Sequence, residues 1–188
     1  YRLGRVDETF AALEQVRDIR LRNLGPGHID VVRTSLNMGT VASLAGNHER
    51  ALAIFHDLKP VLIEVRGREH PDVLAVLRNE GTALRGLGRL EEARDPFAEA
   101  CDLAGRLFGA DHPRTGIACG DFGLLLFLTG DRAAAEPHLV ASFEVLLAEV
   151  GPEHPATRKA AANLVELYER TGRTAEAERY RAYLDAAE

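Results

Sequence analysis

HPDVLAVLRNEGTALRGLGRLEEARDPFAEACDLAGRLFG, residues 70–109, holds one complete architectural unit of this chain. Pro71 opens a run whose apolar residues, Val73, Leu74, Val76, Leu77, Leu84 and Leu87, recur mostly three, four and seven apart before Gly88. That is the period of an α-helix stopped by glycine. A second run begins after Arg89, with Leu90, Ala93, Phe97, Ala100, Cys101, Ala104 and Phe108 on one stripe, and ends at Gly109. The unit reads as a helical hairpin.

Outward from this unit the same landmarks return at a fixed step. Gly46, Gly88, Gly130 and Gly172 are 42 apart (88−46, 130−88, 172−130). His28, His70, His112 and His154 keep that step, as do Asn37, Asn79, Asp121 and Asn163, and Ala51, Ala93, Ala135 and Ala177. Four columns in one register mark an internal repeat, in which each unit buries its apolar face against its neighbours. In His70-Pro71, His112-Pro113 and His154-Pro155 the proline suits the first helical position and holds the preceding His in the extended geometry of an N-cap. Repeat one departs, with Ile29 in place of Pro. The glycine column supplies the left-handed residue that lets the chain reverse. The alanine column lets paired helix axes approach closely, and Phe55, Phe97 and Leu139 fill the seam four residues on.

The succession of a small residue, Asn, an apolar residue and Gly, then Gly with a charged pair and Ala, then an aromatic, resembles the tetratricopeptide repeat. Its common period is about 34, and the longer period with a His-Pro junction resembles the kinesin-light-chain-like variant. The resemblance covers essentially the whole chain and implies an all-α, right-handed superhelical solenoid of helical hairpins. It also implies a non-enzymatic scaffold that binds proteins or peptides, in bacteria often as part of a larger signalling protein carrying a kinase or nucleotide-switch domain.

In such arrays the first helices of the hairpins line a concave groove, and their Asn column bonds the backbone of an extended ligand. Carried over, the groove takes Arg33, Asn37 and Thr40 from repeat one and Arg78, Asn79, Thr82 and Arg85 from repeat two. Repeat three contributes Gly120, Asp121, Leu124 and Phe127, with Asp121 a departure from Asn, and repeat four contributes Lys159, Asn163, Glu166 and Arg170. An amide offers two donors and an acceptor, so a ladder of Asn can hold backbone whatever its sequence. The same side chains can instead tie neighbouring helices together. Gly116, Gly120 and Gly123 stand inside a helical stretch, where each costs about 1 kcal/mol against Ala. Either they relieve crowding, or Gly120 with Leu124 and Phe127 leaves an apolar notch for a ligand side chain. Arg33, Arg78 and Arg85 favour an acidic or C-terminal peptide segment as partner.

Gly4 lies 42 before Gly46, so residues 1–3 read as the end of a first-type helix and residues 5–23 as an orphan second-type helix, followed by repeats 28–66, 70–108, 112–150 and 154–187. The absence of an initiator Met fits a single solenoid cut from a larger protein, and the polar last helix, with Glu176, Glu178, Arg179, Arg181 and Asp185, fits a terminal cap. Val6, Phe10, Leu13, Val16 and Leu21 on the orphan helix predict an uncovered apolar side and a weak homodimer through the N-terminal end.

At 46% hydrophobic, 28% charged and only 6% aromatic without Trp, the composition suits helix pairs packed through Ala and Leu. The formal net charge of −6 argues against nucleic acid, which demands a basic face. The longest apolar stretch, Leu124 to Leu128, is far too short to span a bilayer, and a cytoplasmic location is expected. Cys101 and Cys119 fall on seams of adjacent helices and are expected as buried free thiols rather than a disulfide. The His column is no metal site, because stacked helix pairs roughly 8 to 10 Å apart cannot gather ligands at about 2 Å from one ion. Glu80 stands where other repeats place Met38, Phe122 and Leu164, and needs a cationic partner such as Arg85 or an escape to the surface. No nucleophile–base motif, phosphate-cradling loop or zinc-like spacing accompanies it, so neither catalysis nor a cofactor is expected. An alternative role is structural, in self-association or in positioning an attached kinase or nucleotide-switch domain.

Overall fold

The computed structural model describes the backbone of residues 2–185 and the side chains of residues 8–184. Among the described residues the chain is helical throughout, with α1 (Arg2–Leu24), α2 (Ile29–Leu44), α3 (His48–Arg66), α4 (Pro71–Gly86), α5 (Arg94–Phe108), α6 (Pro113–Leu128), α7 (Arg132–Val150), α8 (Pro155–Arg170) and α9 (Thr174–Asp185). The all-α expectation holds. Two boundaries differ from the sequence reading. α1 begins at Arg2, so Gly4 lies within a helix and not at a turn. α5 begins at Arg94 rather than just after Arg89. Residues 90–93 form a tighter turn instead, with Ala93 N–H to Leu90 O and Arg94 N–H to Glu91 O, both 3.2 Å. Val6 lies outside the residues whose side chains are described, and residues 186–187 of the last repeat lie outside the described chain.

The punctuation is finer than the period of 42. Gly25, Gly46, Gly67, Gly88, Gly109, Gly130, Gly151 and Gly172 all have φ between 73° and 91°, and successive members are 21 residues apart (46−25, 67−46, and so on). Each sits in the turn that follows a helix, in a conformation any Cβ would strain. From Gly25 to Gly172, each helix and its turn therefore occupy one half-period.

The first-type helices start on histidine. His28, His70, His112 and His154 have extended backbone, and each Nδ1 accepts the N–H two residues on, from Asp30 (3.2 Å), Asp72 (3.1 Å), Arg114 (3.0 Å) and Ala156 (3.1 Å). Asp72 and Asp30 carboxylates also lie 3.5 and 3.8 Å from their His Nδ1, close enough to suggest ion pairs. We assign Nδ1 as the acceptor, since the same bond forms at His112 and His154, where no carboxylate follows.

The chain divides into two compact units, Tyr1–Pro96 and Phe97–Glu188. In the first, α2 packs between α1 and α3, α4 packs on α3, and α2 also meets α4. Ala51 and Phe55 of α3 are completely buried at the seam. A Cβ on Gly39 would run into the Phe55 ring, so the small residue on α2 and the large one on α3 are complementary. α1 is pinned through Arg50 of α3, whose guanidinium lies 3.4 Å from the centroid of the buried Phe10 ring and 2.7 Å from Glu14 Oε1. The apolar side expected on α1 is split. Phe10 is buried, whereas Val16 and Leu21 are exposed, as are Ile19 and Leu24.

In the second unit α6 and α7 are the most extensively paired helices, α7 also packs on α8, and α8 on α9. Three glycines of α6 explain the pairing. A Cβ on Gly116 would lie 3.2 Å from Val145 Cγ1, one on Gly120 would strike Ser142, and one on Gly123 would lie 2.8 Å from His138 Cβ. These residues relieve crowding against α7. At the other end Glu136 of α7 accepts from Arg173 Nη1 (2.7 Å to Oε2) and from the Tyr168 hydroxyl (3.0 Å), joining α7, α8 and the turn before α9. Burial, followed by the hydrogen bond to Glu136, pushes the Tyr168 phenol well above its ordinary value.

The two cysteines are not free thiols. Cys101 of α5 and Cys119 of α6 form a disulfide with Cα atoms 4.5 Å apart. Both lie on adjacent helices, as expected, and the antiparallel approach of α5 and α6 brings the two side chains to the same height. The expectation of a reducing, cytoplasmic setting loses the support it drew from free thiols.

Gly123→Ala is expected to lower stability by about 1 to 3 kcal/mol despite the better helix propensity of Ala, because its new methyl meets the Cβ of His138 and not the movable end of a side chain. Urea denaturation decides the sign, and a stabilised variant would refute the close-approach argument. Reducing Cys101–Cys119, which closes a loop of sequence separation 18, should lower the midpoint of the same titration by an amount equivalent to about 3 kcal/mol. No change would mean that the crosslink constrains nothing in the unfolded chain.

Candidate peptide-binding face

In the first unit α2 carries Arg33, Asn37 and Thr40 at intervals of four and three, and all three are exposed. On α4, which meets α2, Arg78, Asn79, Thr82 and Arg85 are half-buried. The hydroxyls are committed to their own helices, Thr40 donating to Leu36 O (2.8 Å) and Thr82 to Arg78 O (2.9 Å). Donors for a ligand must therefore come from the guanidinium and amide groups, with Arg33 and Asn37 the most open. Asn37 and Asn79 hold equivalent positions on neighbouring helices, the arrangement a backbone ladder requires.

Next to this face lies Glu80, with a side chain only 9% exposed. Lys59 Nζ of α3 donates to Glu80 Oε2 at 2.7 Å, so the cation comes from the facing helix; the sequence reading named Arg85. The carboxylate also borders a broad cavity of about 650 Å³ on the α3 side, where Glu49, His56, Asp57, Arg89, Glu92 and Asp95 contribute charged or polar groups. At its rim the Arg89 guanidinium grips the Glu92 carboxylate and holds it below the ordinary carboxylate range. Sequence reasoning had no signal for Lys59, because residues that meet across antiparallel helices have separations that change with height along the pair.

The second unit uses the equivalent positions differently. Asp121 is buried, and Lys159 of α8 donates to its Oδ1 at 3.1 Å, tying α8 to α6. This is the helix-tying alternative, realised at one member of the column. Gly120 faces Ser142 and opens no apolar notch. What remains beside Gly120 is a small cavity of about 30 Å³, lined by Ile117, Leu146, Ala156 and Ala160 as well as by Asp121, Ser142, Lys159 and Asn163, the size of a water molecule or two. Phe127 is core, with Arg170 standing 5.4 Å from its ring centroid, Leu124 is half-buried, and Arg170 is paired with Glu166 at 2.8 Å. The exposed cation of the candidate site in the first unit is thus Arg33 on α2, while in the second unit Lys159 pairs with Asp121 and Arg170 with Glu166.

Helices of this length, paired through an Ala column and a Gly column and ended at regular glycines, are the hallmark of one repeat family. Two family models, both described as tetratricopeptide repeat, match the chain, one over residues 1–58 and 117–180 and the other over residues 73–114. The chain belongs to the tetratricopeptide repeat family. Among solved structures, a Podosopora anserina protein described as a kinesin light chain with nearly identical TPR-like repeats is similar over 97% of this chain and 88% of its own, at 20% identity and a TM-score of 0.80. BtubC from P. vanneervenii is similar over 98% of this chain and 75% of its own, at 17% identity and a TM-score of 0.83. At such identities the likeness is one of fold, a kinesin-light-chain-like tetratricopeptide solenoid. None of the curated proteins matches this sequence. No described helix is long and apolar enough to cross a membrane.

Lys59→Met strands a buried carboxylate and is expected to cost about 1 to 3 kcal/mol, whereas the double change Lys59→Met, Glu80→Met recovers most of it, since repeat one carries Met38 at the position of Glu80. Thermal melts of the three proteins measure this. Equal losses in the single and double variants would show that Glu80 needs no partner from α3.

Proposed function

We propose that this tetratricopeptide chain is a protein- or peptide-binding scaffold whose recognition face is the polar side of α2 and α4, taking an acidic segment or a free C-terminal carboxylate. Repeats of this family mediate protein–protein interaction and form non-catalytic scaffolds. The observation that carries the proposal is that Arg33 and Asn37 are exposed on α2 and that α4, which meets α2, carries Arg78 and Asn79 half-buried. Guanidinium groups suit a carboxylate by paired hydrogen bonds, and the amides suit the peptide backbone beside it. Lys159, Asn163, Glu166 and Arg170 of the second unit contribute at most peripheral contacts in this reading, because salt bridges already occupy Lys159, Glu166 and Arg170.

A second reading, self-association through α1, is favoured by Val16, Ile19, Leu21 and Leu24, which are 38–53% exposed. Water-facing apolar side chains in one helix suit a second copy or another helix.

Against a panel of acidic peptides with free C-termini, the full chain should bind a subset. Arg78→Ala with Asn79→Ala should weaken that binding by about 2 kcal/mol, roughly thirtyfold, at unchanged helicity. A folded double variant that binds as well as the parent, or a panel in which nothing binds, would move recognition to another face.

A further inference from the structure

We propose that Cys101, Cys119 and His138 form a redox-gated zinc site, shut while the two sulfurs are joined and open to one Zn²⁺ when they are thiolates. The three residues come from three helices, α5, α6 and α7, yet their ligand atoms all lie within 4.8 Å of one another. Sulfur and imidazole nitrogen are the donors zinc prefers, and three protein ligands plus water complete a tetrahedral shell.

The repeat itself marks these residues as exceptional. One period away from Cys101 stand Lys59 and Phe143; from Cys119, Leu77 and Ala161; and from His138, Pro96 and Tyr180. No other repeat places a Cys or His at these positions, so three columns break together and the breaks meet at one point in space. A disulfide that only staples α5 to α6 has no use for an imidazole from α7. The imidazole is also well positioned. Its Cβ is pressed against Gly123, and Phe122 stands edge-on to the ring at 5.2 Å between centroids.

The chemistry balances with a dithiol as reductant. Its two sulfurs give two electrons and two protons to Cys101–Cys119, the S–S bond breaks, and the reductant leaves as its own disulfide. Zn²⁺ then displaces both thiol protons to solvent, and Nδ1 or Nε2 of His138 supplies the third donor. The ion would hold α5, α6 and α7 together where the disulfide holds only α5 and α6.

Cobalt titration of the full chain tests the site, since Co²⁺ reports thiolate ligation by charge-transfer absorption. The reduced chain should take up one Co²⁺ with that absorption, Zn²⁺ should displace it, and the oxidised chain should show neither. His138→Gln, with helicity checked by circular dichroism, should weaken binding about tenfold or more, and Cys119→Ser should abolish the absorption. The proposal is overturned by an absorption-free reduced chain, by equal binding in the oxidised state, by unchanged affinity in His138→Gln, or by loss of helix on reduction, which would leave no preformed site.

Discussion

The close approach of paired helices is the constraint on which the rest of the structure depends. It is set where a residue without a side chain, or with only a methyl, faces a large one, as Gly39 faces Phe55 and Gly123 faces His138 and Leu139. Ala51, Ala93, Ala135 and Ala177 are buried to within 1% for the same reason. An interior glycine weakens a helix taken alone. Here that loss is offset by dispersion contacts that a Cβ would forbid. The regular turns matter equally, since a glycine at positive φ every 21 residues spaces the chain reversals evenly, so the small and large residues of paired helices meet at the right height.

Polar groups enter these seams only where a partner arrives from the facing helix. Glu80 receives Lys59, Asp121 receives Lys159, and Glu136 receives both Arg173 and Tyr168. Each such tie uses up groups that could have met a ligand. The two units differ in this respect, because the first keeps Arg33 and Asn37 exposed on α2, while the second pairs Lys159 with Asp121 and Arg170 with Glu166.

The disulfide belongs to a different order of interaction. It is covalent, it connects α5 to α6, and its sulfurs sit beside a histidine from α7. Thiol chemistry superimposed on a packing seam couples the local redox state to how firmly three helices are joined, without altering the apolar contacts beneath.

Periodic features were legible in the sequence because they are enforced locally. The glycine turns, the histidine N-caps and the alanine seam each depend on residues within one hairpin, and the 42-residue register exposed them all. The polar face of α2 and α4 was legible too, since helical spacing alone places Arg33, Asn37 and Thr40 on one side. Tertiary structure alone decided which side chains meet between helices. In antiparallel pairs the partner of a residue depends on the height at which the axes cross, so Lys59 for Glu80, Ser142 for Gly120, and Cys119 and His138 for Cys101 have no fixed separation to betray them. What the sequence by itself determined was the repeat and its punctuation, because those are properties of one chain segment; what the fold decided was pairing, because that is a property of two.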